Sequence, residues 1–333
     1  MAKLVTGGTG YIGSETVRQL VNRGEEVVAM VNQRRTSDTL VNRYRIADIE
    51  KKIKIVGGDL GNFSQVLNIV KDNKIDAIYH IGGMLRYESE LNPWASFQTN
   101  VLGTYHVFEA ARLFDVPKIM FTSSAGTFQL GIGDVVDDWT IQRPISFYAC
   151  GKLYCEGMGR WYSTKFGLAF RSVRYPMVIA PNVRTPGHWA PPMIEDAILG
   201  KPHVCHLGML DFSGPSIYIS DAAKAAIDVL DAPREKIQTM NYNVAGTPDA
   251  TSARDLEALL KKRYPGFQVS YKSEACNPQR PTPKVFSDHY ARKEWGWQPE
   301  FSTIAAIVEQ FEKDLKEHPA RYNLKRLFSQ TCG

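Results

Sequence analysis

Tyr148 and Lys152 stand four residues apart in the run Tyr148-Ala149-Cys150-Gly151-Lys152, at the head of a helical pattern that extends to Phe166. That spacing is about one helical turn, so the two side chains share a face. An ammonium beside a phenol favours the phenolate and draws its pKa down from about 10 toward working pH. Such a phenol acts as general base or acid toward a hydroxyl or carbonyl. Upstream, Met120-Phe121-Thr122-Ser123-Ser124-Ala125 ends a buried strand in hydroxyls. A serine there is placed to hydrogen-bond a reacting oxygen. Ser124, Tyr148 and Lys152 are the candidate catalytic residues. The competing readings are a solvated Tyr/Lys pair and a serine that caps backbone groups.

A third element precedes both. Thr6-Gly7-Gly8-Thr9-Gly10-Tyr11-Ile12-Gly13 joins the first strand to the first helix. Glycines at 7, 10 and 13 permit a tight turn, close approach to a pyrophosphate and packing of helix on strand. The helix start then offers free N–H groups and a favourable dipole. Gly7, Gly10, Tyr11, Ile12 and Gly13 are therefore candidate dinucleotide contacts. The second strand runs out through Val31 and Asn32 with no carboxylate for a ribose 2′-hydroxyl, while Arg34 and Arg35 are suited to a 2′-phosphate. NAD(P) is the expected cofactor, with NADP favoured by this pattern. Asp59 and Leu60 after the third strand are candidates for the adenine end, or else a helix start.

These groups need elements that hold them. The first half alternates strand and helix, which implies an α/β fold with a doubly wound parallel sheet. Strands are expected at 4–6, 26–31, 53–57, 76–81, 118–122 and 170–179. Helices are expected at 12–22, around 63–70, at 94–114 and at 148–166. Past Pro176 the order changes. Pro181, Pro186, Pro191 and Pro192 with Gly187 mark an irregular segment. Helix at 193–199, strands at 203–207, 216–219 and 241–244, and helices at 222–230, 252–263, 288–295 and 304–316 follow. A cofactor unit spanning 1–176 with about 216–246, and a smaller mixed α/β C-terminal substrate lobe of 177–215 and 247–333, is the expected division. The lobe would sit over the carboxyl edge of the sheet.

Composition narrows the function classes. The chain has 333 residues, 44% hydrophobic and 23% charged, with a formal net charge of +5 and scattered basic residues. A nucleic-acid-binding stripe is absent from that pattern. No run approaches the roughly 20 apolar residues of a membrane span. The five cysteines lack metal-type spacing, so no metal site is expected and a reducing, cytoplasmic setting is.

Over essentially its whole length the chain resembles the extended short-chain dehydrogenase/reductase family, the NAD-dependent epimerase/dehydratase type. The residues that carry the resemblance are Gly7 to Gly13, Gly58-Asp59-Leu60, Tyr79-His80-Ile81-Gly82-Gly83, Asn100-Val101-Leu102-Gly103-Thr104, Thr122-Ser123-Ser124 and Tyr148 to Lys152. The resemblance implies a Rossmann-type fold, catalysis by Ser124, Tyr148 and Lys152, and a nicotinamide ribose held by Tyr148 and Lys152. It also implies cofactor positioning by Asp59, Asn100 and the backbone after Tyr175-Pro176, and a homodimer formed through helices 94–114 and 148–166.

Ser172 to Pro176, Ser216 to Ala223, Asn241 to Ala245 and Glu294 to Trp297 are similar to short-chain L-threonine 3-dehydrogenases. That family carries glycine and threonines where this chain has Met177 and Pro186 to Met193, which points to a larger, more apolar pocket. Nucleotide-sugar epimerases carry an Asn and an Arg for the diphosphate where this chain has Met177 and Ser213-Gly214-Pro215. Sugar dehydratases need acidic residues where it has Ala125-Gly126. The substrate expected is thus a small or medium non-nucleotide alcohol or ketone. A redox-neutral epimerase and a non-catalytic NAD(P) sensor are the alternatives. Leu85, Arg86, Ser123, Phe128, Gln129, Met177, His188 and Trp189 are candidate substrate residues. His188 is placed to orient a substrate carboxylate and Arg86 to meet an anion.

Overall fold

The structure is a computed structural model that describes residues 1–32, 43–185, 188–206, 213–247, 250–272 and 283–323. Its centre is a seven-stranded sheet of β1 (Ala2–Thr6), β2 (Val27–Val31), β3 (Lys54–Gly57), β4 (Ile75–His80), β5 (Lys118–Ser124), β7 (Ala169–Tyr175) and β11 (Asn241–Asn243). The order is β11-β7-β5-β4-β1-β2-β3 and every pairing is parallel. Three two-stranded pairs lie outside it: β6 (Val135–Val136) with β13 (Val285–Phe286), β8 (Met177–Ile179) with β10 (Ser216–Tyr218), and β9 (His203–His206) with β12 (Val269–Lys272).

The helices are α1 (Tyr11–Asn22), α2 (Phe63–Asp72), α3 (Arg86–Leu91), α4 (Gly103–Leu113), α5 (Phe147–Phe166), α6 (Ala190–Ile198), α7 (Ile219–Asp231), α8 (Ala253–Arg263), α9 (His289–Trp295) and α10 (Ile304–Glu317). Alternate strand residues feed two cores. Val5, Ala29, Tyr79 and Val173 meet α1 and α7 on one face. Leu4, Val28, Ile78, Phe121 and Phe170 meet α2, α4 and α5 on the other. This is the doubly wound arrangement, and each face of the buried strands needs its own apolar partner. A third core ties α6, α8 and α10 to β9. Among the described residues no helix is long and apolar enough to cross a membrane.

The chain leaves β1 toward β2 and β3, then crosses back to place β4 on the other side of β1. Connections at the carboxyl ends of β1 and β4 thus diverge, opening the crevice where such sheets bind ligands. α5 lies unusually close to the sheet, because a Cβ on Gly159 would stand 2.2 Å from the Phe170 ring. Ser146 starts this helix by accepting from Ala149 N, and Gly167, at φ 73°, ends it.

Several expectations are corrected. The single helix expected at 94–114 is a turn at Pro93–Ser96, a π-helical stretch at Phe97–Leu102, and then α4. The strand expected to run through 170–179 breaks at Pro176, which has no N–H to donate, and β8 leaves the main sheet to pair with β10. The helix expected from Met193 begins at Ala190, with Pro191 and Pro192 in the first turn where no N–H is needed. α3, β6, β12 and β13 were not anticipated; the two-residue strands and the six-residue helix are too short to carry a period.

Candidate active site

The glycine loop is built for a ligand that approaches backbone. Gly7 has φ +70°, and a Cβ there would lie 2.7 Å from Gly82 Cα. A Cβ on Gly13 would lie 2.1 Å from the Gly7 carbonyl oxygen, so helix and turn meet without room for a side chain. Gly8, which the glycine pattern does not single out, is equally constrained: its Cβ would stand 2.7 Å from that of Ala29. α1 has neither a capping side chain nor an acidic residue in its first turn. Its first N–H groups are left for an outside acceptor, and the dipole favours an anion there. This donor set fits a pyrophosphate.

Tyr11 does more than line the loop. Its hydroxyl donates to Asn182 O at 2.9 Å and accepts from Arg184 N at 3.3 Å, while the Arg45 guanidinium covers its ring at 4.0 Å. Ile12 is half-buried between two cores. Asn32 is exposed at the end of β2; Arg34 and Arg35 lie outside the described residues. Asp59 accepts from Gly61 N at 2.9 Å, and the carbonyl of buried Leu60 is bonded by His106 Nδ1 at 2.8 Å. The two residues thereby fix the turn after β3.

The β4 side of the crevice is held by a chain of hydrogen bonds. Thr6 Oγ1 accepts from Ile81 N and Gly82 N, which leaves its proton for His80 Nδ1 at 2.8 Å. His80 Nε2 then donates to Thr104 Oγ1 at 3.0 Å, and Thr104 donates to Asn100 O at 2.5 Å. Burial lowers the His80 pKa to about 3, with Lys152 adding to it, so the ring is neutral and the chain has one direction. The Asn100 side chain clamps both Met84 N, at 2.7 Å, and Met84 O, at 3.0 Å. Asn100 therefore braces the 81–85 loop with its side-chain amide.

Ser124 ends β5, and its hydroxyl accepts from Gly126 N at 3.0 Å. It lies near enough to the Tyr148 phenol, in the first turn of α5, to lower that group's pKa. Lys152, one turn on, donates to Thr122 O at 2.6 Å and places its ammonium 5.7 Å from the centre of the Tyr148 ring. The three sequence-derived residues thus meet at one strand end. The expected lowering of the tyrosine pKa does not follow, however. Burial pushes the phenol up to about 12, against which Ser124 pulls down. Burial also lowers Lys152 to about 8, opposed by Cys155 and Glu156. In this geometry desolvation outweighs the charge of the lysine.

Ser123 corrects another expectation. Successive strand residues point to opposite faces, and its hydroxyl donates inward to Glu156 Oε1 at 2.5 Å instead of lining a pocket. Glu156 is paired with Arg174 through Nε at 2.9 Å and Nη2 at 2.7 Å, and both are fully buried. Arg174 further reaches Asp138 O, Asn243 Oδ1 and Gln142 Oε1, and lies 5.4 Å from the centre of the Phe128 ring. Phe128 packs on Phe286, so it belongs to a small core. Gln129 Oε1 accepts from Ile145 N and, at 3.2 Å, from Ser146 N, which sets the start of α5. The Tyr175 hydroxyl is spent on Ala222 O at 2.7 Å, leaving its backbone as the part near the crevice.

The rim is different in character. Leu85 and Arg86 open α3, whose Glu90 accepts from Tyr148 N at 3.2 Å. Opposite lies the segment leading into α6, with Met177 half-buried in β8 and Trp189 buried. His188 Nδ1, Trp189 Nε1 and Glu88 Oε2 are all buried and have no hydrogen-bond partner among the described residues. Burial lowers the His188 pKa, and Glu88 opposes that shift. The carboxylate position read for His188 from sequence is thus already influenced by a carboxylate of the protein.

Residues 3–245 match the NAD dependent epimerase/dehydratase family. The chain belongs to that family. Its resemblance to extended short-chain dehydrogenases/reductases is borne out, and it is an NAD-dependent enzyme by family. The mitochondrial L-threonine 3-dehydrogenase of Sus scrofa is 25% identical over 90% of this chain and 78% of its own length. The UDP-glucose 4-epimerase of Streptococcus mutans is 28% identical over 92% of this chain and 95% of its own. The crystal structure of L-threonine dehydrogenase from Phytophthora infestans superposes with a TM-score of 0.80 at 27% identity, covering 95% of this chain and 99% of that one.

For a member of the epimerase/dehydratase family, the sequence reading missed the bracing residues more than the reactive ones. Glu156 sits four residues after Lys152 on the same helix, so its spacing was a usable signal. Glu88 and Asp138 carry no such mark: a carboxylate in a polar stretch reads as solvated until the fold buries it. Among the described residues no group of three or more His, Cys, Asp or Glu is arranged to hold a metal.

Proposed function

We infer that this protein is an NAD(P)-dependent alcohol dehydrogenase or ketone reductase acting on a small or medium non-nucleotide substrate. The observation that carries this reading is the meeting of Ser124, Tyr148 and Lys152 at the end of β5, beside a backbone cradle that suits a pyrophosphate. Gly7, Gly10, Tyr11, Ile12 and Gly13 hold the phosphates, with Asn32, Asp59 and Leu60 toward the adenosine end. Tyr148, Lys152 and the backbone beyond Tyr175 hold the nicotinamide half, and Asn100 acts indirectly through the 81–85 loop. When bound, the nicotinamide supplies the acceptor or donor of a hydride. Tyr148 takes the proton from the substrate hydroxyl in oxidation and returns it in reduction. Ser124 hydrogen-bonds the same oxygen and fixes it for Tyr148. Lys152, whose ammonium is anchored on Thr122 O, favours the phenolate as the proton leaves.

NADP is the cofactor form we favour, since Val31 and Asn32 place no carboxylate at the end of β2. Residues 1–176 with about 216–246 form the cofactor unit, and 177–215 with 247–333 the substrate lobe. Leu85, Arg86, Met177, His188 and Trp189 border the substrate. The exposed aromatic face of Tyr105, Tyr154 and Trp161 supports pairing of two copies through α4 and α5. Free thiols at Cys150, Cys155 and Cys205 support a reducing, cytoplasmic setting.

The second reading is a redox-neutral epimerase, favoured by the UDP-glucose 4-epimerase relative. Met177 and Ser213-Gly214-Pro215 stand against a nucleotide-sugar form of it. One experiment separates the two: absorbance at 340 nm with NAD⁺ or NADP⁺ and a panel of hydroxy acids, amino alcohols and simple alcohols. Steady net reduction is expected. No net change with any partner, while cofactor stays bound through purification, would favour the epimerase.

A further inference from the structure

The glycine loop is gripped by a segment that the sequence reading passed over. Gly7 N and Gly8 N donate to Met30 O at 2.9 and 3.2 Å, and Gly10 N donates to Gly7 O at 2.8 Å, so these residues are fixed through backbone. Thr9 and Tyr11 are met by a side chain instead. Arg45, from the short helical turn Arg43–Ile46, is buried; its Nη1 donates to Thr9 O at 3.5 Å and its guanidinium covers the Tyr11 ring at 4.0 Å. α1 has no capping side chain of its own, so Arg45 is an outside hold on an uncapped helix start.

Arg45 is itself held. Arg18 of α1 donates from Nη2 to Arg45 O at 2.5 Å, and it grips Asp48 through Nη2 on Oδ1 at 3.0 Å and Nε on Oδ2 at 3.3 Å. Arg321 reaches the same carboxylate, with Nε at 3.0 Å and Nη2 at 2.8 Å from Oδ2. A carboxylate has acceptor sites enough for two guanidinium forks. Burial acts to raise the Asp48 carboxyl, but Arg18, and after it Arg321, hold that group below the usual carboxylate range. Arg321 belongs to the turn Pro319–Tyr322 that follows α10, and the Tyr322 hydroxyl donates to Asp314 of that helix at 3.2 Å. Tyr11, Ser14, Arg18, Arg45, Arg321 and Tyr322 lie on the wall of one cavity of about 20 Å³, room for about one water molecule. The glycine loop, α1 and the turn after α10 thus meet around a single small space.

We propose that Asp48 is a positioning residue for the dinucleotide: shared between Arg18 and Arg321, it seats Arg45 on Thr9 and Tyr11 and so preorganises the loop for the diphosphate. A loop ordered in advance binds more tightly, since the cost of ordering it does not fall on the ligand. Arg321, 273 residues from Asp48 in sequence, thereby tunes cofactor affinity. This rests on the reading of the glycine loop as the diphosphate site. It is independent of the dehydrogenase reading, because it concerns binding and not turnover.

Binding of NADH, NADPH and ADP-ribose to the full chain is measured by calorimetry, at a temperature where denaturant unfolding shows each variant to be folded. Arg45→Met is expected to raise Kd about tenfold for the dinucleotide that the wild type binds. ADP-ribose, which carries the diphosphate without the nicotinamide, should lose a similar factor. Asp48→Asn and Arg321→Gln should each raise Kd about threefold or more, with Arg321→Lys, which keeps the charge and loses the fork, in between. The sign for Asp48→Asn separates two physical causes. Removing an anion near an anionic ligand tightens binding if charge alone acts, whereas loss of positioning weakens it. In the Arg45→Met background, Arg321→Gln should add less than about twofold, because Arg321 acts through Arg45. Asp48→Glu serves should Asp48→Asn fail to fold; its charge is kept, so the weakening expected of it comes from misplacement.

Tighter binding by Asp48→Asn, or effects that multiply in the double variant, overturns the proposal. So does a Kd within about twofold of wild type in both Asp48→Asn and Arg321→Gln, even where their stability falls. A wild type that binds none of the three probes removes the diphosphate reading of the loop and the proposal with it. Binding that the variants leave untouched removes the positioning alone.

Discussion

The floor and the rim of the crevice are made on different terms. On the floor, Thr6, His80, Thr104, Asn100 and Met84 form a closed chain of hydrogen bonds, and Ser123, Glu156 and Arg174 a second. On the rim, Glu88, His188 and Trp189 each bury a polar atom that no described residue satisfies. The floor's polar groups are satisfied within the chain, whereas those three atoms of the rim have no partner among the described residues. Catalytic geometry has to be held in advance, because a side chain that must be ordered during the reaction adds that cost to the barrier. Recognition tolerates open valences, since a ligand that fills them gains what the free protein had forgone.

The contrast can be broken at its strongest point first. Tyr148→Phe should lower kcat/KM by about 10²–10⁴-fold, the range for loss of a general acid–base group. Cofactor affinity, followed by nicotinamide fluorescence, should change little. A comparable loss of cofactor binding would mean that Tyr148 acts mainly as a cofactor clamp.

Arg174→Met tests the floor itself. It leaves Glu156 buried and charged without its partner, which should cost about 3–5 kcal/mol in denaturant unfolding. Adding Glu156→Leu should recover much of that loss, as the second charge no longer needs a counter-ion. Failure of the double variant to improve on the single one would show that the pair is not the main tenant of this site.

The adjacent serines sharpen the comparison at the scale of one residue. Ser124→Ala should reduce kcat by about 10²-fold through loss of a donor to the reacting oxygen. Ser123→Ala should change kcat less than threefold and instead lower stability by about 1–3 kcal/mol, since its hydroxyl meets a carboxylate. Matching kinetic losses in the two variants would sink the division of labour between the faces of β5.

The smallest effect is one of slope. Asp138 is pushed up to about 7, chiefly by burial, with the Asn243 N–H and Arg174 opposing. Its pKa in the fold exceeds the unfolded value of about 3.9, so the folded state holds the proton more tightly. That contribution to stability is complete below about pH 4 and is lost as pH rises through about 7. Asp138→Asn keeps an acceptor for Asn243 N and removes the titration. Unfolding free energies from pH 4 to 8 should fall less steeply in the variant. An unchanged slope would assign the pH response to other groups.

Legibility in the sequence followed chemistry and period. Gly7 and Gly13 could be read because only glycine serves each place, and Tyr148 with Lys152 because a helix turns their spacing into adjacency. The buried strands and α1, α5, α7, α8 and α10 were legible for the same reason: their apolar residues recur at one period. What escaped has a common physical cause. The π-helical stretch at Phe97–Leu102 is a small change of hydrogen-bond partner inside an apolar pattern that looks helical throughout. Ser123 and Ser124 are chemically identical, and only strand alternation, read in the right register, tells inward from outward. Glu88, Asp138 and Glu156 look solvated in a string of letters, because burial of a charge depends on neighbours distant in sequence.

Tyr11 carries a consequence beyond its place in the loop. It stands between two glycines of the loop, yet its hydroxyl is bonded to the chain at 182–184, a few residues before His188. Whatever steadies the glycine loop thereby steadies the strap that carries the rim, and the converse holds by thermodynamic reciprocity. The two ligands of this enzyme are then not independent arrivals. Any strengthening that one ligand gives the other through this link is returned by the same factor.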